Sequence, residues 1–197
     1  MKLAKFLVLV GLVLMLPTTS NTVHADDWEK TTTCATTTSF ENFQRIGPSC
    51  WAKTKLGSAS YYAEDHMFQT EEYLVLTHLA LAGPHTVWTK SDPKSVLNGV
   101  KWWFDEQDAK ITKAPERTVL FNMWTNRARS WDIETRDYEK GCFAFSSSGG
   151  SKGGSGLESY HFVGVVCNRN GNPIPVEGRN SMSQSFAIEH RFYRGQF

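Results

Sequence analysis

The chain has 197 residues, with 21 lysines and arginines against 20 aspartates and glutamates. The charges nearly cancel and the sequence contains no run of basic residues, so nucleic acid and anionic membrane surfaces are not expected partners. It also contains no glycine-rich phosphate loop, so nucleotides are not expected ligands. The length is typical of one domain with a single core.

Residues 1–25 have the features of a secretory signal peptide. Lys2 and Lys5 precede an apolar run over residues 6–16, and small residues lead to a cleavage boundary after Ala25. The apolar run is shorter than the ~20 residues that a membrane-spanning helix needs. We therefore expect residues 26–197 to form a single secreted or periplasmic domain, with no stable membrane insertion once the signal peptide is removed. A retained anchor is the alternative.

The predicted elements of the first half begin with a Thr-rich extended segment, residues 28–39, as an edge strand or arm. A short helical turn is expected over residues 39–46. Residues 61–82 form a long run whose second half fits a strand as well as a helix, and residues 85–89 predict a strand. The clearest helix is amphipathic and covers residues 91–108, with apolar side chains at helical spacing.

Four further strands are predicted in the second half, at residues 117–125, 129–136, 141–146 and 159–168. The last two flank a Gly/Ser tract, residues 146–156, which we interpret as the flexible loop of a hairpin, with a mobile lid or a linker as alternatives. A turn over 170–173, a polar stretch and a closing strand within 185–193 follow. The expected fold class is α+β, with a mainly antiparallel sheet, one clear amphipathic helix and disulfides.

All four cysteines, Cys34, Cys50, Cys142 and Cys167, lie in the expected mature chain. An even number in an oxidising compartment favours two disulfides, and sequence allows three pairings. We expect neighbours to pair, Cys34 with Cys50 and Cys142 with Cys167, each bond contributing about 3 kcal/mol in the chain-entropy model. The cysteines and histidines lack zinc-ligand spacing, so no metal or other cofactor is predicted.

Cys50 has a second possible role, as a nucleophile. A hydrolytic cysteine needs a base, a group that orients the base and an oxyanion donor, and His161, Asn180 and Gln44 could fill these roles in turn. The run from Ser49 to Ala52, with Gln44 six positions before the cysteine, resembles the papain-like cysteine proteases. His161 before an apolar strand, and Asn180 before a serine, are similar in kind and order. The resemblance implies a secreted cysteine hydrolase.

Trp102 and Trp103 are adjacent on the predicted helix and point about 100° apart. One indole could enter the core while the other reaches the surface, where it would suit glycan stacking or a protein contact. The alternative is that both pack along one edge of the core. Taken together, the sequence favours a non-enzymatic binding or interaction protein for an unknown protein or glycan ligand. No catalytic residue is assigned, and the papain-like hydrolase using Cys50 and His161 is the alternative.

Overall fold

The computed structural model describes residues 28–40, 50–55, 61–83, 88–89, 92, 94–113, 115–118, 128–149 and 157–189. The expected signal peptide, the catalytic candidate Gln44 and the tip of the Gly/Ser tract lie outside these residues. So does most of the helical turn predicted for residues 39–46. None of the helices in the described part of the chain is both long and apolar enough to cross a membrane.

Strands dominate the described residues, because β-branched and aromatic side chains alternate along most of them. The strands are β1 (Glu29–Thr31), β2 (Thr36–Thr38), β3 (Cys50–Lys55), β4 (Tyr61–Gln69), β5 (Tyr73–Ala82), β6 (Trp88–Thr89), β7 (Lys110–Ile111), β8 (Glu116–Arg117), β9 (Arg129–Thr135), β10 (Glu139–Gly149), β11 (Leu157–Glu158), β12 (Tyr160–Asn168) and β13 (Phe186–Ile188).

Nine of these strands form one antiparallel sheet in the order β1-β3-β4-β5-β12-β10-β9-β7, with β8 also paired to β9. Two small antiparallel pairs, β6 with β11 and β2 with β13, stand beside it. The ambiguous run over residues 61–82 is a hairpin of β4 and β5, turning at Thr70, whose hydroxyl oxygen accepts the N–H of Tyr73 at 2.8 Å. The strands predicted at residues 129–136, 141–146 and 159–168 are present as β9, β10 and β12, and the one predicted at 117–125 lies almost entirely outside the described residues.

Each face of the sheet buries a separate apolar cluster. On the front face, aromatic side chains of the central strands pack under Phe186 of β13, whose ring centroid lies 5.6 Å from that of Phe145 and 6.0 Å from that of Phe162. On the back face, Leu97, Val100 and Trp103 cover apolar residues of the central strands. Because side chains alternate along a strand, the register decides which face each residue joins.

The helix predicted over residues 91–108 is shorter than expected, and its first part is a 3-10 helix and not an α-helix. Ser95–Val100 is a 3-10 helix, and the α-helix α1 covers only Lys101–Glu106. Gly99 lies against the ring of His78, where an added Cβ would come within 2.3 Å of Cδ2. The apolar residues expected to face the core do so, because the 3-10 and α-helical parts keep them on the same side.

Two sequence-based predictions need correction. The polar stretch after the predicted turn contains a second α-helix, α2 (Val176–Gln184). Its sequence has no apolar stripe from which a helix could be predicted. An ion pair between Arg179 and Asp132 of β9 holds it to the sheet. The Gly/Ser tract does not begin as a loop, because Ser146–Ser148 belong to β10 and are buried. Over the described residues the fold is a small, mostly antiparallel single domain with two α-helices and two disulfides, so α+β describes it only roughly.

Two glycine substitutions should move stability in opposite directions. A Cβ on Gly164 of β12 would lie 2.2 Å from Cζ of the buried Phe145 ring, so we expect Gly164→Ala to lower the free energy of unfolding by about 1–3 kcal/mol. A Cβ on Gly178 of α2 meets Ile174 at 3.4 Å, an ordinary contact. Gly178→Ala should raise the free energy of unfolding by about 0.5–1 kcal/mol. Urea denaturation would check both, and equal effects would contradict the packing described.

Candidate functional site

Cys50, the first residue of β3, is bonded to Cys34, and Cys142 is bonded to Cys167. Both pairs are those expected from the sequence, and none of the four cysteines is free. Cys142 and Cys167 face each other directly on β10 and β12, which places that bond across two central strands. In this disulfide form the sulfur of Cys50 carries no thiolate, the form that a nucleophilic cysteine needs.

The structure does not bring together Cys50 and His161. Strands β4 and β5 separate their two strands, which puts about 14 Å between them at the usual spacing. The ladder aligns Cys50 with His66, Thr77 and then Gly164, so Cys50 shares the front face with Gly164. His161 is three residues from Gly164 and therefore projects from the back face. The proposed nucleophile and base lie on opposite sides of the sheet.

The remaining residue of the hydrolase hypothesis that the structure describes is Asn180, in α2. It lines an open, mostly polar cleft of about 440 Å³ between α2 and the end of β2. The other lining residues are Ser39, Phe40, Glu177, Ser181, Gln184 and Ser185. The cleft contains neither Cys50 nor His161, so Asn180 is not placed to orient that imidazole.

The two tryptophans of α1 occupy different environments. Trp103 is buried in the back-face cluster, and Trp102 is 46% exposed. This is the arrangement in which one indole enters the core and the other reaches the surface. Stacking of a glycan or partner on Trp102 stays a prediction.

A larger exposed feature lies on the back face of β3 and β4. The 3-10 helix packs mainly on β5, β10 and β12, and the sheet beyond β5 carries Trp51, 53% exposed, and Met67, 51% exposed. Trp51 stands directly opposite Asp65, and Met67 is two residues further along the same strand, within diagonal reach of the indole. We call the surface formed by Trp51, Asp65, Met67 and His78 the open strip.

A hydrogen bond between His78 and Asp65 forms the inner border of the open strip. Nδ1 of His78 lies 2.7 Å from Oδ1 of Asp65, directly across β4 and β5, and the two side chains are 18% and 28% exposed. A carboxylate only accepts hydrogen bonds, so Nδ1 is the donor. The missing side chain of Gly99 leaves room for the imidazole against the 3-10 helix. Lys30 of β1 pairs with Trp51 on the outer side, so the indole stands between a cationic and an anionic side chain.

The front face holds a different group of polar residues, buried beneath the segment that joins β1 to β2. Glu64 is 1% exposed, and its carboxylate accepts the backbone N–H groups of Ala35 and Thr36 and the hydroxyl of Tyr62. One oxygen of Glu64 and the sulfurs of Cys34 and Cys50 lie within 4.8 Å of one another. Sulfur and carboxylate ligands of this kind can hold a metal ion when the sulfurs are reduced.

His66 lies on the same face of β4 as Glu64, outside this group of three, and has no polar partner among the described residues. It is 3% exposed, stands opposite Cys50 in the ladder, and neither of its ring nitrogens forms a hydrogen bond in the structure. The hydroxyl of Thr77, its neighbour on β5, is also buried and unpaired. Burial lowers the pKa of His66 to about 4. The imidazole is therefore neutral at physiological pH.

Sequence reasoning missed both the open strip and Glu64 with His66. The alternation of apolar and polar residues in 61–69 is a signal for a strand with two distinct faces. It does not say which face is covered. That depends on the helix and the arm that pack against the sheet.

The burial of His66 makes stability depend on acid. Its pKa is about 4 in the folded chain and 6.5 in the unfolded chain, so between these values the unfolded chain binds more protons. The contribution of neutral His66 to the free energy of unfolding should therefore be complete above pH 6.5. As the pH falls toward 4, the free energy of unfolding should decrease by up to roughly 3 kcal/mol. We expect His66→Leu to remove this dependence in denaturation experiments. Parallel pH profiles for the two proteins would contradict the prediction, because Glu64 and every other acid is common to both.

The chain matches no protein-family model, and neither a curated protein nor a solved structure matches it.

Proposed function

We propose that this protein is an exported, non-enzymatic binding protein that holds a protein partner on the open strip. The observation that carries the proposal is the half exposure of Trp51 and Met67 on one uncovered part of a regular sheet. Tryptophan is enriched among the residues that dominate protein interfaces, and methionine adapts to irregular apolar surfaces. Both project from a disulfide-stabilised sheet, so little ordering would be needed on binding.

The polar side chains around the indole define the kind of partner. His78 engages Oδ1 of Asp65, whose side chain is 28% exposed, and the second carboxylate oxygen is a further hydrogen-bond acceptor within the strip. Lys30 lies on the opposite side of Trp51. A protein surface with an apolar side chain next to a hydrogen-bond donor would match this order. We favour a protein over a glycan because Met67 adds apolar area that a sugar would not use.

Export is supported by the sequence of residues 1–25 and by two disulfides, which persist in oxidising compartments. Among the described residues the hydrolase alternative has no supporting contact, since Cys50 is bonded and His161 lies on the other face of the sheet. Binding is therefore the function that the described residues support best.

Photo-crosslinking in the source cell tests this proposal. A photoreactive amino acid at position 67 should give a specific protein adduct, while the same group at the exposed Val176 of α2 should not. Equal labelling from both positions, or an adduct that resists protease digestion, would contradict a protein partner on the open strip.

Substitution of the indole gives the matching energetic prediction. Trp51→Ala should weaken binding to the crosslinked partner about 30-fold or more, the effect of losing a central interface residue worth about 2 kcal/mol. Trp102→Ala removes an indole of similar exposure on α1 and should leave the affinity nearly unchanged. Isothermal titration calorimetry would compare the two variants, and equal losses would place the interface elsewhere.

A further inference from the structure

The cluster under the segment between β1 and β2 has the composition of a metal site whose sulfurs are oxidised. In a tetrahedral site with Zn–S bonds of about 2.3 Å, two thiolates lie about 3.8 Å apart. The two sulfurs and a carboxylate oxygen of Glu64 already lie within 4.8 Å of one another. Opening the S–S bond would bring the sulfurs close to the spacing that such an ion requires.

Glu64 is held in place as metal-binding carboxylates usually are. The N–H of Thr36 donates to Oε1 at 2.9 Å, and the hydroxyl of Tyr62 donates to Oε2 at 2.6 Å, with the N–H of Ala35 on the same oxygen. An ionised carboxylate offers about four acceptor positions, so one remains on Oε1. Outer-shell hydrogen bonds of this kind fix the orientation of a ligand.

His66 supplies the independent sign of a missing ligand. A buried polar group without a partner is uncommon and calls for a water, an ion or a functional role. Both ring nitrogens of His66 are buried and unpaired, and the residue stands directly across the ladder from Cys50. In the disulfide form its ring rests on Phe68, with the centroids 3.7 Å apart. Its neutral form is the one that coordinates metals.

We propose that Cys34, Cys50, Glu64 and His66 bind a zinc-class divalent cation when the Cys34–Cys50 disulfide is reduced. A dithiol reductant transfers two electrons and two protons, which breaks the S–S bond, yields two thiols and leaves the reductant as a disulfide. The cation then displaces both thiol protons and binds the two thiolates, Oε1 of Glu64 and one nitrogen of His66, whose ring turns from Phe68 toward the ion. In the reverse direction a disulfide oxidant accepts two electrons from the two thiolates and two protons from water, and leaves as a dithiol, which re-forms the S–S bond and releases the cation.

The second disulfide is an internal control. Cys142 and Cys167 are also buried, but the described residues contain no third metal-ligating side chain near them, and the sulfur of Cys142 lies 3.8 Å from the hydroxyl of Thr135. Reduction of that pair gives two thiols without a carboxylate or imidazole. A selective effect of metal on Cys34 and Cys50 therefore separates a built site from simple affinity for thiols.

Thiol protection in the full chain tests the proposal. The protein is reduced with a water-soluble phosphine and alkylated with and without Zn²⁺, and each cysteine is mapped by mass spectrometry. We expect Zn²⁺ to slow the alkylation of Cys34 and Cys50 and to leave the rates of Cys142 and Cys167 unchanged. With Co²⁺ the reduced protein should develop thiolate-to-metal charge-transfer and tetrahedral visible bands that saturate at one equivalent.

Substitutions of the other two ligands complete the test. Glu64→Gln and His66→Leu should each lower the affinity for Co²⁺ at least tenfold, since even outer-shell changes cost about 10- to 100-fold. Near-UV circular dichroism follows the fold, and if the reduced chain unfolds, Zn²⁺ should restore it. Equal protection of all four cysteines, the absence of charge-transfer bands, unchanged affinity in both variants, or failure of Zn²⁺ to restore a lost fold would overturn the proposal.

Discussion

The attachment of the segment between β1 and β2 to the sheet is the constraint on which the front layer depends. Glu64 accepts the N–H groups of Ala35 and Thr36, immediately beside the bond between Cys34 and Cys50. This fixes β2, which pairs with β13 and so positions Phe186 over the front-face aromatic cluster. A buried carboxylate is costly unless it is hydrogen-bonded, so the covalent and polar contacts stabilise the same geometry.

The back face is asymmetric because its cover is small. The 3-10 helix and α1 together span about 21 Å even if they run straight, whereas the eight strands in sequence across the sheet extend about 34 Å. The cover lies over the central strands, where Trp103 packs, and leaves Trp51 and Met67 exposed. The Asp65–His78 pair marks the boundary between the covered and open parts. The open strip thus results from the same packing that forms the back-face cluster.

Much of the strand content could be predicted, because alternation and β-branched residues are local signals. The strands around Trp131, Phe143 and Val163 were expected, and they occur together with the hairpin and the disulfide that joins Cys142 to Cys167. Helix α2 could not be predicted, since its stability comes from contacts such as that of Arg179 with Asp132 and not from an apolar stripe. The candidate sites were missed because they consist of side chains contributed by different strands.

The sequence by itself determined the alternating strands, because these follow from side-chain periodicity. It predicted the pairing of neighbouring cysteines and the different environments of Trp102 and Trp103, but it left alternatives to each that only the tertiary structure resolved. Only the tertiary structure decided that Cys50 and His161 face opposite sides of the sheet and that Trp51 stands beside Asp65 and His78. The physical reason is strand register. A shift of one residue between neighbouring strands reverses the face of every side chain, and that register depends on contacts across the whole sheet.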